Sequence, residues 1–377
     1  MYLSVILGSM FCIIGCKDSY TPDILKVQTS YLVIEGILNT NGPTLITLTR
    51  TTELNNNNTN IEAGAVVSVE NETNNSIQFL NYTNNGIYYS SNLNLENGKR
   101  YRVRIITGIG REYLSEYVVA KTSPQIDSIS WIRKDDGVEI EVSTHDLTNR
   151  HKFYKWWYEE TWEIRSFFNS RQVFVGNGVV RPRNANEMVD VGWKVNSSKS
   201  IHLATSAGLE QEVINKKPLL FIEPGSEKLA ERYSILVKQQ VLEEDAYNFF
   251  QVMKKNTESL GTIFDPLPSD LAGNIKCVTN PLEPVIGFIT ASSITEKRIF
   301  IDKQELPDWK FTQSCVLDRI TNDPDSLNHA FTGAEYIPLD AILSEIFPGV
   351  IAAYSMTTAK CADCTKRGGG TVKPTFW

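Results

Sequence analysis

The sequence predicts a mainly β protein, with tandem immunoglobulin-like β-sandwich domains and one helix packed on the second domain. Short segments alternate apolar and polar residues with a period of two, and turns rich in Asn, Gly and Pro separate them. Only one segment has clear helical spacing. The 377 residues, 41% of them hydrophobic, are enough for two or three globular units with sizeable cores.

The first predicted domain covers residues 30–122. Its opening strands are 31–36 and 45–50, with a turn signal at Asn41-Gly42-Pro43 between them. The clearest strand is 99–105, because its side chains alternate strictly. The predicted core face of that strand is Tyr101, Val103 and Ile105, and its solvent face is Arg100, Arg102 and Arg104.

The second predicted domain covers residues 123–377 and begins after a linker at Thr122-Ser123-Pro124. It contains an irregular insertion at about 167–217 and a helix at about 243–256. The helix is predicted from apolar residues at helical spacing, acidic residues at its start and lysines at its end. These apolar residues are Ala246, Phe249, Phe250 and Met253.

The amino terminus has the pattern of a lipoprotein signal peptide. Residues 1–15 carry no charge, and their apolar run is shorter than the roughly 20 residues that span a bilayer. Ile13-Ile14-Gly15-Cys16 resembles a bacterial lipobox, which implies cleavage before Cys16 and a lipid on its sulfur. Acyl chains such as palmitate would then hold the protein in a membrane, with residues 16–29 as a linker. The alternative is that Cys16 is only a small apolar residue.

Four further cysteines lie in the last third of the chain: Cys277, Cys315, Cys361 and Cys364. An even number in an exported chain favours two disulfides that stabilise the carboxy-terminal part, and the sequence leaves three pairings open. Zinc is the alternative, because Cys361 and Cys364 have the spacing of a metal knuckle. No second knuckle accompanies them, so we predict structural disulfides and no metal or other cofactor.

The charge balance argues against a nucleic-acid partner. The chain has 37 Lys and Arg against 44 Asp and Glu, a formal net charge of -7. Such a chain offers no basic excess to neutralise a phosphate backbone.

The aromatic strand 154–162 contains the most suggestive binding residues. On an extended strand, Trp157 shares one face with Lys155 and Glu159, while Tyr154, Trp156 and Tyr158 share the other. An exposed Trp between polar groups can stack on a sugar ring or a partner surface, although aromatic residues in strands more often form cores.

A glycosidase would need two carboxyl groups that converge on one bond. Glu159 and Glu160 are adjacent on a strand and therefore point to opposite faces, so no catalytic residues are predicted and the chain is expected not to be an enzyme. His145, Asp146 and His151 form a polar cluster without compact metal-ligand spacing.

The carboxy terminus ends in Phe376 and Trp377, two large aromatic residues that are costly to leave exposed. We predict that this tail docks against the body or against a partner. A terminal aromatic residue is also common in outer-membrane barrels, but the lipobox argues against that interpretation.

Several segments in order resemble a family of outer-membrane lipoproteins from Bacteroidota, classed as a domain of unknown function of the DUF 4249 type. The match covers most of the chain and rests on the lipobox, Tyr31-Leu32-Val33-Ile34-Glu35-Gly36, Tyr158-Glu159-Glu160-Thr161-Trp162-Glu163, Gly273-Asn274-Ile275-Lys276-Cys277, Val285-Ile286-Gly287-Phe288, Cys361-Ala362-Asp363-Cys364 and Lys373-Pro374-Thr375-Phe376-Trp377. The resemblance implies an accessory of TonB-dependent transporters. It supplies no catalytic residues and no substrate.

The sequence and the resemblance together predict a surface-exposed outer-membrane lipoprotein in nutrient uptake. Its partners would be a TonB-dependent barrel, membrane lipid through acylated Cys16, and a small ligand such as a glycan or peptide. The alternative is a cell-surface lipoprotein that binds or cleaves glycans on its own.

Overall fold

The structure, a computed structural model, describes residues 30–52, 59–208, 213–258 and 273–377. Its strands are β1 (Leu32–Asn39), β2 (Thr44–Arg50), β3 (Asn60–Ile61), β4 (Val66–Asn71), β5 (Ile77–Tyr82), β6 (Ile87–Ser90), β7 (Arg100–Ile106), β8 (Glu112–Ser115), β9 (Val118–Val119), β10 (Ile126–Lys134), β11 (Gly137–His145), β12 (Phe153–Arg165), β13 (Gln172–Gly176), β14 (Val179–Pro182), β15 (Val191–Ser197), β16 (His202–Thr205), β17 (Val213–Ile222), β18 (Arg232–Leu242), β19 (Ile275–Cys277), β20 (Val285–Gly287), β21 (Thr290–Ser292), β22 (Thr295–Asp302), β23 (Asp318–Thr321), β24 (Tyr336–Leu343) and β25 (Ile351–Thr358). The helices are α1 (Glu244–Glu258), α2 (Pro324–Phe331) and α3 (Ala359–Ala362). The prediction of a mainly β chain is confirmed.

The first sandwich is a 12-stranded sheet whose main path runs β19-β8-β7-β4-β5-β6-β2-β1-β20. β5 joins the two halves of this path, because it pairs with β4 along most of its length and with β6 at its end. One core lies inside, and alternate residues of β7 enter it as the sequence pattern predicts. Tyr101, Val103 and Ile105 are at most 3% exposed.

Three strands from late in the chain complete the first sandwich. β19 adds antiparallel to β8, and β20 and β21 add parallel to β1. A domain boundary at residue 122 assigns residues 275–292 to the second domain, whereas their hydrogen bonds place them in the first. The reason is that β1 and β8 offer open edges, and the apolar residues Ile275, Val285 and Ile289 enter the first core.

The second sandwich packs a three-stranded sheet, β10-β11-β17, against a five-stranded sheet built around β12 and β18. β12 and β18 pair over ten residues, from Phe153 with Leu242 to Trp162 with Tyr233. The core between the sheets contains Val138, Ile140 and Val142, all fully buried.

A third small unit forms at the carboxy terminus from β23, β25 and β24. The β13–β14 hairpin, which lies in the predicted irregular insertion, packs against it. Phe174 of the hairpin contacts Phe331 of α2 with ring centroids 5.7 Å apart, and the Gly178 backbone N–H donates to Asn328 Oδ1 at 2.8 Å. The insertion is therefore integrated into this unit and into the five-stranded sheet through β15.

The sequence predicts only one helix, but the described residues contain three. α1 extends over 244–258, close to the predicted bounds. The missed helix α2 has only eight residues, too few to show a period, although the Asp323 side chain caps it and Pro324 occupies its first turn. Leu327 and Phe331 are its buried residues.

The cysteine pairing differs from the predicted two disulfides. Cys315 and Cys361 form one disulfide within the third unit. Cys277 and Cys364 are buried and unbonded, because β19 carries Cys277 into the first sandwich while Cys364 packs beside Gly192 of β15. The two thiols therefore belong to separate cores.

The segment between the sandwiches is hydrogen-bonded to residues beside the first sandwich and in the second. The Ser123 hydroxyl donates to the Ser293 carbonyl at 2.6 Å, and the Ser123 backbone N–H donates to Ser293 Oγ at 2.8 Å. The Pro124 carbonyl accepts a hydrogen bond from Gln239 Nε2 at 2.9 Å. These buried bonds fix the junction that positions the site described next.

Candidate binding site between the two sandwiches

A cleft of about 540 Å³ lies where β1 of the first sandwich faces β12 of the second, with α1 along one side. We call it the inter-sandwich cleft. Its main lining residues are Glu35, Lys155, Trp157, Phe250, Met253 and Phe288. Its size is that of sites that take small ligands, and its lining is mostly apolar and aromatic with a few polar groups, as in such sites.

Alternation along β12 determines which residues reach this cleft. Tyr154, Trp156 and Tyr158 are buried in the second core, and the intervening Lys155 and Trp157 are only partly buried. The Trp156 ring is fixed from the core side, where its Nε1 donates to Gln239 Oε1 at 2.8 Å. The structure therefore places Lys155 and Trp157 on the face that the sequence pattern assigns to them.

Lys155 has an unusual environment for a cation. Its Nζ lies 3.7 Å from the centroid of the Phe250 ring, and among the described residues no carboxylate lies within 4.0 Å of it. Burial lowers the pKa of Lys155 from 10.5 to about 8, and the more distant Glu35 carboxylate partly opposes that shift. The ammonium therefore remains charged at neutral pH while facing an apolar wall.

The sequence pattern does not identify three aromatic residues of the cleft as site residues. Phe250 comes from α1, and Phe288 comes from the chain that returns to the first sandwich. Phe249 is the buried neighbour in α1 and contacts Phe288 with ring centroids 5.2 Å apart. The adjacent residues Phe249 and Phe250 could have indicated a second apolar contact of the helix, because two adjacent side chains cannot both point into one core.

Glycine allows the close approach of the two strands beside the cleft. Gly287 has a φ of 144°, and a Cβ at this position would collide with the Ile34 carbonyl. Only a residue without a side chain lets β20 lie against β1 here, and this places Phe288 at the cleft.

The third binding candidate, Glu159, does not line this cleft. Its carboxylate pairs with Lys238 Nζ at 2.6 Å, and Lys238 also lies 3.7 Å from Glu296. Lys238, Glu296 and Trp157 line an adjoining groove of about 640 Å³, which is more polar and contains Asn39, Asn41 and Gln125. Trp157 therefore lies between an apolar cleft and a polar groove.

Glu160 faces away from both sites, as expected of the residue next to Glu159. It is 1% exposed and accepts hydrogen bonds from Lys228 Nζ at 2.7 Å, Tyr233 Oη at 2.8 Å and Asn196 Nδ2 at 2.9 Å. Burial and the Glu160 carboxylate raise the pKa of Tyr233 well above 10. The carboxylate is thus enclosed in a hydrogen-bonded network and does not converge with Glu159.

The polar cluster at 145–151 forms a turn at the rim of a different cleft. Asp146 accepts hydrogen bonds from the backbone N–H groups of Thr148, Arg150 and His151. Burial opposes ionisation of Asp146, but these bonds outweigh it and lower its pKa to about 2. His145 Nδ1 lies 2.6 Å from Asp127. No group of three or more candidate metal ligands occurs among the described residues.

The terminal aromatic residues lie on the outer face of the five-stranded sheet and do not line the inter-sandwich cleft. Arg298 stacks over the Phe376 ring at 3.6 Å, and Arg232 lies 5.4 Å from the Trp377 ring. The Trp377 Nε1 donates to Glu163 Oε2 at 3.3 Å. The tail is therefore held against the second sandwich.

Two features bear on the membrane. The predicted signal peptide, Cys16 and the linker at 16–29 lie outside the described residues. None of the helices in the described ranges combines the length and the apolar composition of a membrane-spanning segment.

The fold and the cleft define a class: a mainly β protein of packed sandwiches with a largely apolar cleft at their junction. The sequence model of the family described as "Domain of unknown function (DUF4249)" matches residues 17–298, more than half of the chain. The chain therefore belongs to this family. No protein with a curated function matches it significantly.

Solved structures include remote similarities. The chicken interferon gamma receptor alpha chain is 10% identical, with 56% of this chain and 90% of that chain covered and a TM-score of 0.17. The chicken CNTN1 FN1-FN3 domains are 11% identical, with 56% of this chain and 59% of that chain covered and a TM-score of 0.19.

Proposed function

We propose that this chain is a lipid-anchored, surface-exposed binding protein of the outer membrane. In this proposal it has no catalytic role, and it captures or covers a small substrate for a TonB-dependent transporter in nutrient uptake. The observation that carries the binding role is the inter-sandwich cleft, where Trp157 and Lys155 face an aromatic wall formed by Phe250 and Phe288. The lipobox at Cys16 supports the anchor, and the family resemblance supports the transporter and the Bacteroidota origin.

An apolar cluster at the turn between β24 and β25 supports a partner protein. Ile346 is 78% exposed and Phe347 is 62% exposed, with Leu343 and Val350 exposed beside them. Grouped exposed apolar side chains are common at sites of protein association. In the proposal, this turn contacts the transporter barrel.

The first experiment is recovery of the native complex. The full chain, with its own leader, is captured from outer membranes solubilised in mild detergent, and the proposal expects a TonB-dependent barrel to co-purify. The double variant Ile346→Ser/Phe347→Ser should lower that recovery, whereas Trp157→Ala should leave it intact. Recovery of monomer alone, under conditions that preserve known transporter complexes, would contradict the partnership.

The second candidate function is independent binding or cleavage of cell-surface glycans. The polar groove beside Trp157 favours it, because a Trp flanked by amide and charged side chains suits a sugar ring. A glycan array and a hydrolysis screen separate the candidates. Under this alternative, Trp157→Ala abolishes glycan binding, and Trp193→Ala, which alters a tryptophan outside both sites, does not.

A further inference from the structure

The cation in the inter-sandwich cleft differs from three other partly buried lysines, which are paired with carboxylates. Lys228, Lys194 and Lys238 each have a carboxylate oxygen within 2.7 Å. Among the described residues Lys155 has no such partner and instead contacts the Phe250 ring. A cation–π contact compensates only part of the cost of removing an ammonium from water. The cleft therefore contains a positive charge that no carboxylate of the described residues pairs with.

The remaining charges of the cleft do not neutralise this cation at close range. Its charged lining residues are Glu35, Lys155 and Lys199, which leave a net charge of one positive unit. Glu35 is exposed on β1 and acts on Lys155 only at longer range. Lys199 is exposed in the loop after β15. A negatively charged group beside Lys155 would thus enter a site with a favourable field.

The rest of the cleft determines what that charged group is attached to. The volume of about 540 Å³ and the side chains of Phe250, Phe288 and Met253 suit a compact apolar or aromatic body. Trp157 adds a flat surface at the boundary with the polar groove.

We propose that the inter-sandwich cleft binds a small organic anion. Its charged group contacts the Lys155 ammonium, and its apolar or aromatic body packs against Phe250, Phe288 and Trp157. This inference rests on the proposed function, since it specifies the ligand of the same cleft. Carboxylates and phosphate esters share the required chemistry, and the experiment separates them.

The test is calorimetric titration of the full detergent-solubilised chain with three probes of one shape: 2-naphthoate, 2-naphthyl phosphate and the neutral 2-naphthamide. A hydrogen-bonded charge pair predicts that at least one anion binds about tenfold or more tightly than the amide. Comparison of the two anions identifies the preferred charged group.

Matched variants locate the effect. Lys155→Met keeps the length of the side chain and removes its charge, so the preference for the anion should disappear while affinity for the amide changes by less than about twofold. Lys199→Met removes an equal charge from the rim and should retain the preference. Trp157→Ala should weaken binding of all three probes.

Three results would overturn the assignment. They are equal affinity of the wild-type chain for anions and amide, a preference that persists in Lys155→Met, and failure of all three probes to bind. The first leaves the cleft as a ligand site for another class of compound, and the second shows that a group other than Lys155 recognises the anion. Recovery of the transporter complex is independent of all three, so the proposed function is judged separately.

Discussion

At the scale of single residues, Lys155 combines two properties that oppose each other. Its ammonium is held against the Phe250 ring in a partly buried position, which costs free energy, yet its pKa of about 8 keeps it charged at neutral pH. A structural role for this side chain would be met equally well by an uncharged residue of the same length. The proposed anionic ligand accounts for a charge at this position.

Replacement of Lys155 by Met should therefore stabilise the free protein. The folded-state pKa of Lys155 lies below its unfolded value of about 10.5, so the unfolded state binds more protons between pH 8 and 10.5. The charged Lys155 therefore lowers the unfolding free energy by its full amount below pH 8. This destabilisation declines as pH rises through that window. The shift corresponds to about 3 kcal/mol below pH 8. Urea unfolding of both proteins from pH 7 to 10.5 measures it.

The gain in Lys155→Met should shrink as pH rises, because only the wild-type chain is relieved of the charge. Lys199→Met is the control, because it removes an exposed charge from the same cleft. A stability difference that is constant over pH 7 to 10.5, or of opposite sign, would contradict the argument. Glu35 and Lys199, the other charged groups at the cleft, are present in wild type and in Lys155→Met alike.

The sequence predicts one side of the site and not the other, for a physical reason. A period of two on β12 is enough to place Lys155 and Trp157 on one face. Glu35, Phe250 and Phe288 reach the cleft only through the packing of the two sandwiches. No local pattern records which distant segments meet, so these residues could be noted as strand or helix residues but not as neighbours of Lys155.

At the scale of elements, sequence periodicity succeeds where an element is long and amphipathic. The 13-residue strand β12 and the 15-residue helix α1 were predicted close to their observed bounds. The short elements are different, because β19 and β20 have three residues each and their pairing depends on the open edges of the first sandwich. The cysteines show the same limit. Their number and positions in the sequence do not reveal that Cys277 lies in the core of the first sandwich and not in the third unit.

The single disulfide should stabilise the third unit. Cys315 and Cys361 are 46 residues apart, and closing a loop of that length in the unfolded chain corresponds to about 4 kcal/mol in the chain-entropy model. The double variant Cys315→Ser/Cys361→Ser should therefore lose about 2–4 kcal/mol of unfolding free energy. Urea unfolding with and without dithiothreitol checks this.

The reductant provides the internal control. It should lower the stability of the wild-type chain to that of the double variant and leave the double variant unchanged, since Cys277 and Cys364 are already thiols. A further loss in the double variant on reduction would show that another disulfide exists.

At the scale of the whole molecule, the chain is not a simple series of domains. It builds most of the first sandwich, crosses into the second, and returns with β19, β20 and β21 before it continues. The return places Ser293 against Ser123, where the chain leaves the first sandwich, and it carries Phe288 to the inter-sandwich cleft. The site is therefore a product of this topology, since both sandwiches must be complete before its walls meet.

This topology predicts that residues 16–125 do not fold alone. Without residues 275–292, the backbone hydrogen-bonding groups along β1 and β8 lose their partners, and the core loses Ile275, Val285 and Ile289. The isolated fragment should show no cooperative thermal transition and should bind a hydrophobic dye. Appending residues 273–294 through a Gly/Ser linker of about 15 residues, which spans roughly 20 Å, should restore a cooperative transition. Cooperative unfolding of the shorter fragment would show that β1 to β9 form a self-sufficient domain, and the returning strands would then be an addition to its edges and not part of its fold.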